Sequence, residues 1–209
     1  MLTLFDYGPS ANCLKVRVLL RQLGLDHERV EVDIFAGESR TDAFVALNPA
    51  GPTPALLLAD GQAIAESNAI LLYLAESTPF LLDDRVARAH VHQWLFFEQN
   101  LLEPNVSTAR FWRLTGRDRQ RPEAFERHFE AGLAALRILD AYLAGREFLV
   151  GGRYTVADIA LYAYTHVAHE AGIDMSAYPA IGPWLARVEA TNGFVNDLKP
   201  YPANARVPS

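Results

Sequence analysis

Apolar and polar positions change period along this chain. Residues 2–5 form a short, mostly apolar run that predicts a strand, followed by the loop Asp6-Tyr7-Gly8-Pro9-Ser10. Val16, Leu19, Leu20 and Leu23 then fall at i, i+3, i+4 and i+7, one face of a helix starting near Asn12. Gly24 stands where a C-terminal cap belongs, and Arg21 where a cation suits the helix end. Residues 28–32 alternate polar and apolar, which predicts a second strand parallel to the first through a βαβ crossover. A weakly patterned short helix is expected within residues 34–46, after Gly37. Residues 55–58 read as a strand, Asp60-Gly61 as a tight turn into another, and residues 67–75 as an apolar helix. The predicted order is β-α-β-α-β-β-α.

Past residue 76 the pattern changes. Residues 77–84 hold the polar joint Ser77-Thr78-Pro79, and the chain then reads as helical to near Phe194. Val91, Trp94 and Leu95 begin a stripe in a segment spanning about residues 84–114, which Pro104 is expected to kink or interrupt. Residues 122–143 predict a long helix with Leu136, Leu139 and Leu143 on one face, ending near Gly145. Thr155-Val156-Ala157-Asp158 is the clearest helix start, a capping box with Asp in the Glu position and Tyr154 and Ile159 at staple spacing. Ile181, Trp184, Leu185 and Val188 mark a further amphipathic helix after Tyr178-Pro179. The Pro-rich tail, residues 200–209, is ordered only where it packs back. The expected division is an α/β domain over residues 1–76, a linker over 77–84 and an all-helical domain over 85–209.

Composition narrows the function classes. A chain of 209 residues, 50% hydrophobic and 21% charged, is of ordinary globular type. A net charge of −6 gives no support for nucleic acid or an anionic membrane as partner, and obliges an anionic ligand to find local positive groups. The single cysteine, Cys13, excludes a disulfide framework or cysteine metal cluster within the chain and fits a reducing compartment. Residues 1–4 run into a strand without a basic leader, and the longest apolar run, residues 69–75, is too short to span a bilayer. A cytoplasmic location is the expectation. No metal site is visible: His90 and His92, or His166 and His169, lack a carboxylate or cysteine set, and the latter pair reads as helix surface.

The candidate chemistry lies in two stretches. One is the turn run Asn48-Pro49-Ala50-Gly51-Pro52-Thr53-Pro54, feeding the hairpin that ends at Glu66-Ser67 on a helix start. An X-Pro bond is the peptide that takes cis readily, turning the preceding backbone outward as an edge for a peptide ligand. Ser67 offers an N–H and a hydroxyl to a carboxylate, helped by the helix dipole. This order resembles the glutathione half of the soluble glutathione S-transferases, a thioredoxin-like unit. The resemblance implies that Thr53-Pro54 is cis, that the Thr53 backbone pairs with the cysteinyl backbone of glutathione, and that Glu66 and Ser67 grip its γ-glutamyl end. The other stretch is Pro9-Ser10-Ala11-Asn12-Cys13-Leu14-Lys15-Val16, which resembles the activating loop of bacterial transferases of the Ser/Asn type, with nu- and theta-like relatives. It implies that Ser10, with Asn12 sharing the task, donates to the glutathione sulfur.

The physical need is definite. The thiolate is the nucleophile, and a free thiol has a pKa of about 8.5. Lowering it by roughly two units asks for about 2.7 kcal/mol of preferential thiolate stabilisation. Plain N-capping of the first helix is the other use of Ser10 and Asn12. Tyr7 and Cys13 are rival activating or redox groups in the same loop, although Cys13 suits packing as a small buried group. Where the family often has Lys or Gln to hold the glycyl carboxylate, this chain has Pro52, and Arg40 is the candidate substitute. Lys15 and Arg17 read as surface charges.

The string Gly151-Gly152-x-x-Thr155-x-Ala157-Asp158-Ile159 resembles the N-capping box of the transferases' buried sixth helix, a structural role. In the helical half, Arg110, Phe111 and Trp112 are candidates for a second-substrate pocket. Core or dimer packing, with Arg110 in an ion pair, is the alternative. The resemblance, spanning residues 2 to about 196, implies a transferase fold and a homodimer. It also implies attack by activated glutathione, as co-substrate, on a small hydrophobic electrophile. A glutathione-dependent disulfide reductase or peroxidase, or a non-catalytic binding or regulatory protein of the same fold, remains open.

Overall fold

The computed structural model describes residues 1–207; the last two residues of the Pro-rich tail, Pro208 and Ser209, lie outside them. The chain forms two compact units, Met1–Glu76 with Asn192–Pro200, and Ser77–Thr191 with the residues from Tyr201 onward.

The first unit follows the predicted order: β1 (Leu2–Asp6), α1 (Ala11–Gln22), β2 (His27–Glu31), α2 (Asp42–Leu47), β3 (Ala55–Leu57), β4 (Ala63–Ala65) and α3 (Ser67–Ala75). Its sheet runs β2-β1-β3-β4. β1 and β2 are parallel, as the α1 crossover requires, while β3 lies antiparallel to both β1 and β4. Leu4 faces Leu56 across β1 and β3, and Phe5 faces Ala55 one residue on. Since side chains alternate between faces, these pairs serve two cores. Phe5 and Ala55 meet Val32 and Phe44 of the α2 side, with the Phe5 and Phe44 rings edge to face at 6.1 Å. On α1, Val16, Leu19 and Leu20 are fully buried, as are Ile70 and Leu71 of α3, each such side chain contributing about 1.5–3 kcal/mol.

The second unit holds α4 (Arg85–Phe97), α5 (Glu103–Thr115), α6 (Pro122–Leu143), α7 (Val156–Thr165) and α8 (Ile181–Glu189). A π-helical turn, Glu98–Leu102, separates α4 from α5. The expected interruption of the long helical segment is this π-helical turn, and Pro104 follows it in the first turn of α5. All ten residues of α7 are buried. Its start is the expected capping box. The Thr155 hydroxyl accepts from Ala157 N (3.3 Å), and the Asp158 carboxylate accepts from Thr155 N (3.0 Å). Asp158 also accepts from Leu149 N and Trp184 Nε1, both at 3.0 Å, so one carboxylate ties together the loop before α7, its cap and α8.

Helix does not continue to Phe194: α8 ends at Glu189, and Asn192–Pro200 joins the first unit. There Asp197 accepts from Arg17 Nε at 2.6 Å and from Arg29 Nη1 at 3.1 Å. The following segment packs in the second unit, where Tyr201 meets Phe111 edge to face at 5.2 Å and Val207 N donates to Thr115 O.

Candidate functional site

The first turn of α1 is held from below by buried charge. Asp6, at the end of β1 and fully buried, pairs with Arg17 (2.7 Å) and with Arg29. Arg17 also donates to Gly8 O, which accepts a second bond from Lys199 N, while Gly8 N donates to Glu31. The loop carrying Ser10 is therefore pinned on both its backbone polar groups at Gly8. Arg17, at 4% exposure, is not the surface charge its sequence context suggested. Its acidic partners lie at Asp6 and, 180 positions away, at Asp197.

Ser10 is the N-cap of α1, in extended conformation, and its hydroxyl oxygen accepts from Cys13 N at 3.3 Å. Cys13 is fully buried, and burial, with the charge of Asp6 second, pushes its thiol up to about 12. Hydrogen bonds with the Thr53 and Ser10 side chains and with Tyr7 N act in the opposite sense and are outweighed. A thiol this hard to ionise is a poor nucleophile. Its effect here is geometric: it joins the Ser10 loop to Thr53 through one sulfur atom. Tyr7 is buried as well, its ring against Phe35 at 6.2 Å.

Thr53-Pro54 is cis, at the mouth of β3. Asn48 organises the turn before it, donating from Nδ2 to Pro52 O (2.5 Å) and accepting from Ala50 N (3.1 Å). Arg40, exposed, lies across this turn and donates to Ala50 O at 3.1 Å. Gly51 is what lets it lie there. Its φ is +90°, and a Cβ at that position would stand 2.5 Å from Arg40 Nη1.

Glu66 and Ser67 open α3. Glu66 is exposed and adopts φ 70°, a conformation that costs a non-glycine residue on the order of 1–3 kcal/mol. Ser67 is buried, and its hydroxyl donates to Asn12 Oδ1 at 3.3 Å. Behind it stands Lys15, fully buried rather than a surface charge, donating from Nζ to Ser67 Oγ (3.3 Å) and Asn68 Oδ1 (3.5 Å). Sequence reasoning missed Lys15. The signal present was only a lysine one helical turn after Ala11, within residues 13–20, which are apolar but for Lys15 and Arg17.

In the second unit, Arg110 is 2% exposed and bound to Glu170 at 2.5 Å, with its guanidinium over the Tyr201 ring. Phe111 packs on Tyr201 and under Arg117, and Trp112 on His128. His166 stacks on Tyr162 at 4.5 Å, and burial lowers its pKa; it is not a helix-surface residue. Among the described residues, no group of three or more His, Cys, Asp or Glu side chains is placed to hold a metal ion, and no helix is long and apolar enough to cross a membrane.

Residues 9–77 match the family described as glutathione S-transferase, N-terminal domain, and residues 102–192 match its C-terminal domain. The chain is similar to the crystal structure of a possible glutathione S-transferase from Rhodopseudomonas palustris, at 45% identity and a TM-score of 0.90, over 94% of this chain and 90% of that one. It is 30% identical to the disulfide-bond oxidoreductase YfcG of Escherichia coli, over 88% of each chain. It also resembles a glutathione transferase from Burkholderia graminis with two glutathione molecules bound per subunit, at 28% identity and a TM-score of 0.84, over 94% and 87% of the two chains. With its thioredoxin-like first unit and helical second unit, this chain belongs to the glutathione S-transferase family.

Proposed function

We propose that the protein is a glutathione transferase of the Ser/Asn-loop type, similar to the nu- and theta-like members. One observation carries this reading: the first turn of α1 is tied to both ligand-facing loops. Cys13 links Ser10 to Thr53, and Asn12 is hydrogen-bonded to Ser67. The groups assigned to the sulfur, the cysteinyl backbone and the γ-glutamyl end of glutathione thus form one connected patch.

In this mechanism the Thr53 backbone pairs with the cysteinyl residue, Pro54 holding its geometry. Glu66 faces the γ-glutamyl ammonium. The α3 N-terminus at Ser67 faces the carboxylate. Arg40 serves the glycyl carboxylate that Pro52 has no donor to hold. Ser10 and Asn12 stabilise the thiolate, and the thiol proton leaves to solvent. The thiolate then attacks an electrophilic carbon, forming a thioether and expelling a leaving group such as halide.

Calorimetric titration with glutathione, in the wild type and Ser67→Ala, tests the binding half. Micromolar to low-millimolar affinity that weakens in the variant is expected, and no heat from either sinks the reading. Ser10→Ala and Asn12→Ala test activation, each expected to cut turnover of a halo-nitroarene about tenfold, one pKa unit of thiolate. Similarity to a disulfide-bond oxidoreductase favours a second reading, reduction of a small disulfide by glutathione, and faster turnover of that substrate than of the nitroarene would select it. A homodimer fits a groove of about 630 Å³ on α4 and α6, lined by Trp94, Phe97 and Tyr142 with Phe96, Leu101 and Ile138 exposed at 67%, 45% and 49%. A monomer by light scattering at micromolar concentration would contradict it.

A further inference from the structure

Lys15, Ser67 and Asn12 form a hydrogen-bond chain that runs in one direction. A lysine nitrogen has donors and no acceptor, so Ser67 Oγ accepts from Lys15 Nζ at 3.3 Å. A serine hydroxyl has one hydrogen, and Ser67 directs it to Asn12 Oδ1 at 3.3 Å. The Asn12 amide therefore turns its oxygen toward Ser67, and its other arm, Nδ2, is a donor. We propose that Lys15 is a positioning residue for thiolate activation: through Ser67 it fixes the Asn12 amide so that a donor, not an oxygen, meets the glutathione sulfur. This rests on the glutathione reading above.

The proposal explains why a lysine is fully buried at this point of α1. Without Lys15, Ser67 can turn its hydroxyl elsewhere. The Asn12 amide then loses the donor that holds its oxygen on Ser67, and in the reversed orientation an oxygen lone pair faces the sulfur and opposes its ionisation. A different role for Lys15, simple attraction of the γ-glutamyl carboxylate, makes a different prediction: weaker binding with an unchanged sulfur.

The test is the ultraviolet absorbance of the thiolate of bound glutathione, followed against pH at saturating glutathione in the intact protein. Lys15→Met is expected to raise the bound thiol pKa by about one unit, a tenfold loss of thiolate at pH below both values. Lys15→Arg, which keeps a donor, is expected to restore most of that shift. Lys15→Met combined with Asn12→Ala is expected to shift no further than Asn12→Ala alone. Weaker binding by Lys15→Met with an unmoved thiol pKa overturns the proposal. If Lys15→Met does not fold, Ser67→Ala interrupts the chain one residue later and must give the same shift, and an unmoved pKa there overturns it equally. If Asn12→Ala itself leaves the thiol pKa unmoved, the activation reading falls and takes the role of Lys15 with it, whereas a shift in Asn12→Ala but none in Lys15→Met overturns the role of Lys15 alone.

Discussion

Glu66 occupies a left-handed backbone conformation with its side chain exposed, so nothing in its own packing accounts for the residue. The carboxylate accounts for it if it faces the ligand. Glu66→Gly should therefore relieve the backbone while removing the charged group. Stability in urea is expected to hold or rise within about 1 kcal/mol, with glutathione affinity falling at least severalfold. A loss of stability without a loss of affinity would assign Glu66 to the fold instead. Its neighbours show what was legible at this scale. Ser67, Thr53 and Ser10 stand in motifs with strong local meaning, caps and an X-Pro turn, and could be named from sequence. Lys15 and Arg17 could not. α1 is buried nearly all round, so its apparently polar positions are also interior, and what covers them comes from α3 and from residues 192–200.

The α7 cap shows how far a local signal reaches at the scale of an element. Thr155→Ala removes the hydroxyl that receives Ala157 N, and should cost about 0.5–2 kcal/mol by chemical unfolding. Asp158 adds a dependence on pH. Burial raises its pKa from 3.8 to about 6 despite the bonds from Trp184, Leu149 and Thr155. Between those values the folded chain holds a proton that the unfolded chain has lost. Stability from this group is therefore full below pH 4 and declines as pH rises toward 6. Asp158→Asn should flatten that part of the stability profile, and a slope unchanged from wild type would refute the assignment. Helix boundaries were readable wherever a cap or periodic stripe marked them, as in α3, α6 and α7. The π turn at Glu98–Leu102 had no such mark. It places Glu98 in the interior beside Gln99, a packing outcome that no periodicity announces.

At the scale of the whole molecule, the order of the two units and the sheet were legible because strand, turn and helix signals agree along residues 2–75. The destination of the last residues was not, since Asp197 lies among Pro, Asn and Gly residues with no pattern and is fixed only by two arginines far away in sequence. Asp197→Ala should lower the stability of the first unit by roughly 1–2 kcal/mol, less than the 3–5 kcal/mol typical of a broken buried pair because the carboxylate is 38% exposed. Urea unfolding followed by a first-unit probe measures it, and no change would mean that Asp6 alone holds Arg17 and Arg29. The inheritance of this fold is affected too. Met1–Glu76 looks like a portable module, yet its buried arginine is balanced in part by an aspartate encoded more than a hundred codons later. A recombination event that exchanges the front half between two relatives must also match the tail, so compatible shuffling is expected only between chains that keep both the arginine and its distant acid.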